Sequence, residues 1–176
     1  MREHRRALGR TAALTASLAL LVLGAAAPAH AAAPEQHCMV LLDDSADVSA
    51  QEFCADTFEE VDRAFLAQTG LIRVESADIV GARVTYTLAT LYADASYGGS
   101  SYTFLRSSPC DGVTAAGVSN LGTVGLNDVV SSFITYSSCQ VRLYADINYG
   151  GGTYGYTTTT ASLPSFNDVA TAARAR

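Results

Sequence analysis

Two oxygen-rich stretches carry the chemistry of this chain. Residues 126–133 read L-N-D-V-V-S-S-F, and residues 166–173 read F-N-D-V-A-T-A-A. In each, an amide and a carboxylate (Asn127 and Asp128, Asn167 and Asp168) are followed, after two apolar residues, by a hydroxyl on Ser131 or Thr171. The first copy then adds Ser132, where the second has Ala172. Carboxylate, carbonyl and hydroxyl oxygens are hard donors, and calcium takes six to eight of them. A loop of this kind, presented twice, is a candidate for holding such a cation. The same side chains also close turns on their own backbone, which is the competing reading.

The elements that must position these loops are duplicated too. Residues 91–99 read L-Y-A-D-A-S-Y-G-G and residues 143–151 read L-Y-A-D-I-N-Y-G-G, an offset of 52. Tyr102 then matches Tyr154, and Phe104 matches Tyr156. The N-D loops align with an offset of 40, so the first unit carries 12 extra residues, expected in a Gly- and Ser-rich loop around 109–120. Leu-Tyr-Ala-Asp reads as a strand end. Tyr-Gly-Gly then supplies a ring beside backbone that can take positive φ. Tyr92 and Tyr97, or Tyr144 and Tyr149, would cover the bend. Strands are expected over 83–92, 102–105 and 132–137, and over 154–159 in the second unit, with the Thr157 to Thr160 run part of that strand. Internal duplication fixes architecture. Four short antiparallel strands per unit make a Greek key, and two such units bury their faces as a sandwich.

The start of the chain reads as an export signal. Arg2, Arg5, Arg6 and Arg10 precede an apolar run over 18–27, and Ala29-His30-Ala31 is a small-x-small cleavage pattern. Cleavage after Ala31 leaves seven arginines, no lysine and 16 acidic residues, a net charge of −9. Such a chain suits neither nucleic acid nor an anionic membrane surface. Only His37 survives cleavage, which leaves no His-based zinc site and makes a Ser-His-Asp triad improbable. A hydrolase on paired carboxylates is conceivable, but Asp128 and Asp168 already have a role, so the chain reads as a non-enzyme. Cys38, Cys54, Cys110 and Cys139 all remain, an even set that reads as disulfides in an exported protein. Of the three connectivities, Cys38–Cys54 with Cys110–Cys139 fits the organisation best.

Residues 32–83 form an extension ahead of the repeats. A strand is expected over 39–42, then an acidic loop over 43–48. Ser49 and Glu52 have capping-box spacing. Cys54, Phe58, Val61 and Phe65 then recur at helical spacing and Gly70 follows as a stop, so a helix is expected over about 50–68. Its acids, Glu52, Asp56, Glu59, Glu60 and Asp62, read as a solvated face. Another strand is expected over 71–75 and a turn over 77–82.

The duplicated residues resemble the βγ-crystallin family. Its hairpin motif is an aromatic, four residues, an aromatic, any residue and glycine, which Tyr92 to Gly99 and Tyr144 to Gly151 both fit. Its calcium signature, N/D-N/D-x-x-S/T-S, fits residues 127–132 at every position and residues 167–172 until Ala172. The resemblance implies an all-β domain over 84–176, with one Greek-key motif over about 84–138 and a second over about 139–176. The chain looks most like the secreted bacterial branch, with one Cys in the loop of the first unit and another opening the second, as Cys110 and Cys139 stand. Microbial metalloproteinase inhibitors and killer-toxin-like proteins share that fold.

The resemblance also implies paired calcium sites that draw oxygens from both units. The ligands would be Asp128, the Val129 carbonyl and Ser131, with Asp168, the Val169 carbonyl and Thr171. Carbonyls near Asp94 and Asp146, from the hairpin of the other unit, would complete each shell. Asn127, Asn167 and Ser132 would support the loops, and Ala172 cannot brace its hairpin as Ser132 can. One carboxylate per site implies weak affinity, with dissociation constants on the order of 10⁻⁵ to 10⁻³ M. The resulting expectation is a secreted, monomeric, calcium-stabilised module, with an inhibitor of an extracellular protease or a killer-toxin-like protein as the alternatives.

Overall fold

The β-branched and aromatic runs form strands because each finds a neighbouring backbone to pair with. The computed structural model describes residues 34–42 and 49–176. The signal peptide expected over 1–31 and the acidic loop expected over 43–48 lie outside the described residues. In chain order the elements are β1 (His37–Leu42), β2 (Ser49–Ala55), α1 (Phe58–Thr69), β3 (Ile72–Val74), β4 (Val84–Tyr92), β5 (Ser101–Arg106), β6 (Ala116–Val118), β7 (Ser132–Thr135), β8 (Val141–Asp146), β9 (Gly150–Thr157) and β10 (Ala172–Ala175). Among the described residues, no helix is long and apolar enough to cross a membrane.

The strands form two sheets in a sandwich. One runs β2-β1-β5-β4, and the outer edge of β4 carries two further strands. β3 pairs with it in parallel at Val84 to Tyr86, and β7 antiparallel at Ala89 to Tyr92. The other sheet runs β6-β10-β8-β9. The two motifs exchange segments. β6 belongs to the first unit in sequence yet pairs with β10 of the second. In return, Thr160 of the second unit bonds Phe133 of β7 in both directions, at 3.0 and 2.9 Å. The extra residues expected as a loop around 109–120 therefore supply the exchanged strand. Gly117 is required there, because a Cβ would run into the backbone of Ala173 and Arg174.

Between the sheets lies one core that includes Val40, Leu88, Leu91, Phe104, Phe133, Leu143 and Leu163, all fully buried. A second, smaller core of Met39, Phe53, Val61, Phe65 and Leu105 lies on the outer side of the first sheet, under α1. Alternation along β1 divides its residues between the two: Cys38, Val40 and Leu42 face the sandwich, and Met39 faces the helix. The extension is thus built into the sheet, with β1 parallel to β5 from His37 to Leu41.

The helix expected over about 50–68 is shorter and starts later. Ser49 to Ala55 is strand β2, paired with β1 from His37↔Ala55 to Leu42↔Ser49. The cap is Thr57, whose hydroxyl accepts from the Glu60 amide at 3.3 Å. The Thr57 hydroxyl in turn donates to the Glu60 carboxylate at 3.0 Å, so the cap lies eight residues beyond the expected one. Pairing with the open edge of β1 wins over helix for 49–55, because it satisfies both backbones and buries Phe53 against Phe65. Gly70 ends the helix as expected, in left-handed conformation (φ 66°), with its amide on the Leu66 carbonyl.

Both disulfides have the expected pairing. Cys38–Cys54 joins directly opposed residues of β1 and β2, and Cys110–Cys139 ties the loop after β5 to the entry of β8. Closing loops of 16 and 29 residues stabilises the fold by roughly 3–4 kcal/mol each in the chain-entropy picture.

Candidate metal centre

Each N-D loop is a short exposed tip between two buried anchors. In the first, Leu126 and Val130 are buried and Asn127, Asp128 and Val129 face solvent. In the second the anchors are Phe166 and Ala170, and Asn167, Asp168 and Val169 face solvent. Asp128 and Asp168 both take positive φ, 53° and 55°. Asp tolerates that region because its short polar side chain bonds locally. Here the neighbouring asparagine supplies the bond: the Asn127 amide donates to Asp128 Oδ2 at 2.6 Å, and the Asn167 amide to Asp168 Oδ2 at 2.7 Å. The second oxygen of each carboxylate is left to point across the motif boundary.

Sequence and packing together bring the two loops side by side. The Asp128 amide donates to the Ala170 carbonyl at 3.0 Å, and the Asp168 amide to the Val130 carbonyl at 3.2 Å. The side chains cross in the same way. Ser131 Oγ donates to Asp168 Oδ1 at 3.1 Å, and Thr171 Oγ1 to Asp128 Oδ1 at 3.3 Å. Each grouping therefore combines the hydroxyl of one motif with the carboxylate of the other. Ser131 Oγ also lies 3.3 Å from the Val129 carbonyl, and Thr171 Oγ1 lies 2.8 Å from the Ala145 carbonyl.

The expected side chains meet across the motif boundary, with Asp168 beside Ser131 and Asp128 beside Thr171. Each hairpin, moreover, stands beside the loop of its own motif. The Ser131 amide bonds the Tyr92 carbonyl at 3.0 Å, and the Thr171 amide bonds the Tyr144 carbonyl at 2.8 Å. What crosses between motifs is the aspartate. Asp94 and Asp146 turn their carboxylates back over the bend, so tightly that a Cβ on Gly99 or Gly151 would sit 2.8 or 2.6 Å from an Oδ2. Their carboxylates lie over the hairpin glycines, and the Asp94 backbone carbonyl meets the loop through the Ser132 hydroxyl.

Ser132 braces the first hairpin. Its hydroxyl donates to the Asp94 carbonyl at 2.6 Å and accepts from the Tyr97 amide at 3.0 Å, while fully buried. Ala172 has no such group, and the Thr171 hydroxyl takes up the neighbouring Ala145 carbonyl instead. Sequence reasoning missed this use of Ala145. The Ser-to-Ala change at 172, opposite a Ser-to-Thr change at 171, was the available signal.

The donor set is oxygen only: one carboxylate, one hydroxyl and one or more carbonyls per cluster. That fits a hard cation such as calcium and does not fit zinc or copper. Among the described residues the other group of acid and thiol side chains, Cys38, Glu52 and Cys54, has both sulfurs in a disulfide.

Residues 88–156 match the family model of peptidase inhibitor family I36, a stretch from within β4 to within β9 that includes the first N-D loop. Among solved structures, a βγ-crystallin domain from Clostridium beijerinckii is 28% identical, over 50% of this chain and 95% of that one, with a TM-score of 0.40. A βγ-crystallin domain from Flavobacterium johnsoniae is 26% identical over 51% and 93%, with a TM-score of 0.39. No curated protein matches the sequence. The likeness is thus to peptidase inhibitor family I36 over 88–156 and to bacterial βγ-crystallin domains over about half of the chain.

Proposed function

We propose that this chain is an exported, non-enzymatic module that binds calcium at two sites where its Greek-key motifs meet. The reading rests on the reciprocal exchange of Asp168 to Ser131 and Asp128 to Thr171. Asp128, Val129, Ser131, Asp168 and Thr171 would hold the two ions, with Val169 and hairpin carbonyls near Asp94 and Asp146 as further donors. A bound ion would neutralise the carboxylate and lock one motif to the other. With one carboxylate per site and water filling the shell, affinity is in the range of extracellular modules, about 10⁻⁵ to 10⁻³ M. Two disulfides fit an oxidising compartment. Calorimetric titration of the monomer with calcium tests this; no heat and no thermal shift at millimolar calcium would remove it.

A second reading, an inhibitor of an extracellular peptidase, is favoured by the family match over 88–156. The loop between β5 and β6 has the build of a presented segment. Val113 at its tip is 81% exposed. Asp111 accepts from the amides of Val113 and Thr114 at 2.8 and 2.7 Å, and from the Thr114 hydroxyl at 2.7 Å. The buried Arg106 donates to the carbonyls of Ser108, Pro109 and Thr114 at 3.2, 2.7 and 3.3 Å. Cys110 is tied to Cys139. A loop held in one conformation loses little entropy on docking. Assays against secreted metallo- and serine peptidases test it, with Val113→Asp as the control that should abolish any inhibition.

A further inference from the structure

The outer face of the first sheet changes character partway across. Met39 and Leu105 are buried on that face under α1. Their ladder partners Thr103 and Thr87 share the face, as does Thr90 opposite Thr103. None of the three threonines is more than 3% exposed. Side chains placed there for packing alone would be apolar. Instead a cavity of about 220 Å³ opens beside them, between Phe58 at the start of α1 and Glu75 just beyond β3.

Four hydroxyls line this cavity. Thr103 Oγ1 lies 3.0 Å from Thr90 Oγ1, Thr90 is bonded to Tyr136, and Tyr136 to Tyr92. Four O–H groups joined by three links leave one donor and several lone pairs for a ligand. Burial, with Tyr136 and Glu75 beside it, pushes the Tyr92 hydroxyl up to about 12, so it stays neutral. The charged wall is matched within itself. Arg73 gives Nε and Nη2 to Asp62 at 2.8 and 3.0 Å, and Nη1 to Glu75 at 2.7 Å and Thr87 at 3.2 Å. An anion would find this guanidinium already taken by two carboxylates, and a cation would be repelled by it. Glu75 uses Oε1 in that pair, which leaves Oε2 as an acceptor at the rim. Phe58, 37% exposed, gives the mouth a flat apolar ring, held by His37 at 4.2 Å and Tyr92 at 6.4 Å.

We propose that this cavity binds a single neutral sugar ring. Such a ring carries hydroxyls around its edge and C–H bonds on its faces. The edge matches a chain of hydroxyls that both donate and accept, together with Glu75. A C–H face matches the Phe58 ring, whose π face is electron-rich. Pockets for drug-sized ligands run from about 300 to 1,000 Å³, so the smaller volume here suits one ring and not a chain of them. The cavity shares no residue with the N-D loops, so its test is run in chelator and stands apart from calcium binding.

The test titrates the protein with glucose, galactose, mannose and N-acetylglucosamine, each free and as its methyl glycoside, and follows backbone amides by NMR. At least one should bind with a Kd of about 1 mM and shift the amides of Phe58, Thr90 and Thr103. A methyl glycoside that binds marks the end residue of a glycan as the ligand; binding of the free sugar alone marks the monosaccharide. Tyr136→Phe removes one hydroxyl and Phe58→Leu removes the flat ring. Each should weaken binding about three- to tenfold with little change in melting temperature. Sorbitol, an open-chain polyol, and the charged glucuronate should bind at least about tenfold more weakly than the best neutral ring. No shift at those amides with any sugar at about 50 mM, sorbitol or glucuronate binding as well as the best ring, or folded variants that bind like wild type would each overturn the proposal.

Discussion

Exchange of aspartates between motifs makes an unusual demand on mutagenesis: a serine and an aspartate 37 residues apart in sequence must behave as one site. Glycine at 168 deletes every side-chain oxygen and accepts φ 55° without strain. In chelator, Asp168→Gly removes one hydrogen bond from Ser131 to an exposed carboxylate, worth about 1 kcal/mol. With calcium at a hundredfold excess over Kd, each site contributes about 2.7 kcal/mol. For a domain of this size that is about 5–10 °C in Tm per site. Wild type should therefore gain about 10–20 °C from two sites, and Asp168→Gly about half of that. The partner assignment is tested by the double variants. Adding Ser131→Ala to Asp168→Gly should cost little further calcium response, since both belong to one cluster. Adding Thr171→Ala should abolish the remaining response. Differential scanning calorimetry in chelator and in calcium reads all of these. If Ser131→Ala instead behaves as one unit with Asp128→Gly, the crossed grouping is wrong; if wild type gains nothing, so is the calcium reading.

Three further outcomes follow from particular contacts. Ser132→Ala strands the Asp94 carbonyl and the Tyr97 amide in a buried site, and should cost about 1–3 kcal/mol by chemical denaturation, with increased hydrogen exchange at Tyr97. Phe65→Ala empties the second core where Phe65 meets Phe53 edge-on, and should cost about 3–5 kcal/mol. The Thr114 hydroxyl, with the amides of Val113 and Thr114, holds the Asp111 carboxyl down to about 2. Because the folded value lies below the unfolded one of about 3.9, this carboxylate favours the ordered loop above about pH 4. That contribution is lost as pH falls through about 2. Amide shifts of Val113 and Thr114 should titrate in that window and not in Asp111→Asn.

Some of this was legible in the sequence and some was not, for definite physical reasons. The two Tyr-Gly-Gly bends and two N-D loops announce themselves because each needs particular residues locally: glycine where an aspartate folds back over it, Asp where φ is positive. Local requirements leave local signatures. The start of α1 was misplaced because Ser49 to Glu52 and Thr57 to Glu60 carry the same capping chemistry, and local signals cannot rank them. The open edge of β1 decided between them, and β1 is held in place by β5 on its other side, a pairing from His37↔Ser101 to Leu41↔Leu105 that no local window spans. The exchange of β6 for Thr160 and of Asp128 for Asp168 is illegible for the same reason. An aspartate that serves the partner motif has the same neighbours in sequence as one that serves its own.

The exchange also explains why the second motif tolerates Ala172. Had each loop closed on its own aspartate, losing the last serine would loosen that loop alone. Because the Asp128 amide is bonded to Ala170, and the Asp128 carboxylate to Thr171, the intact first loop holds the second in place. Thr171 is then free to bridge Asp128 and the Ala145 carbonyl at once. On this logic Ala172→Ser should change stability less than Ser132→Ala, because the hairpin it would brace already has a donor. Denaturation of the two variants side by side gives the comparison, and a larger effect at 172 than at 132 would show that each motif relies on its own serine after all.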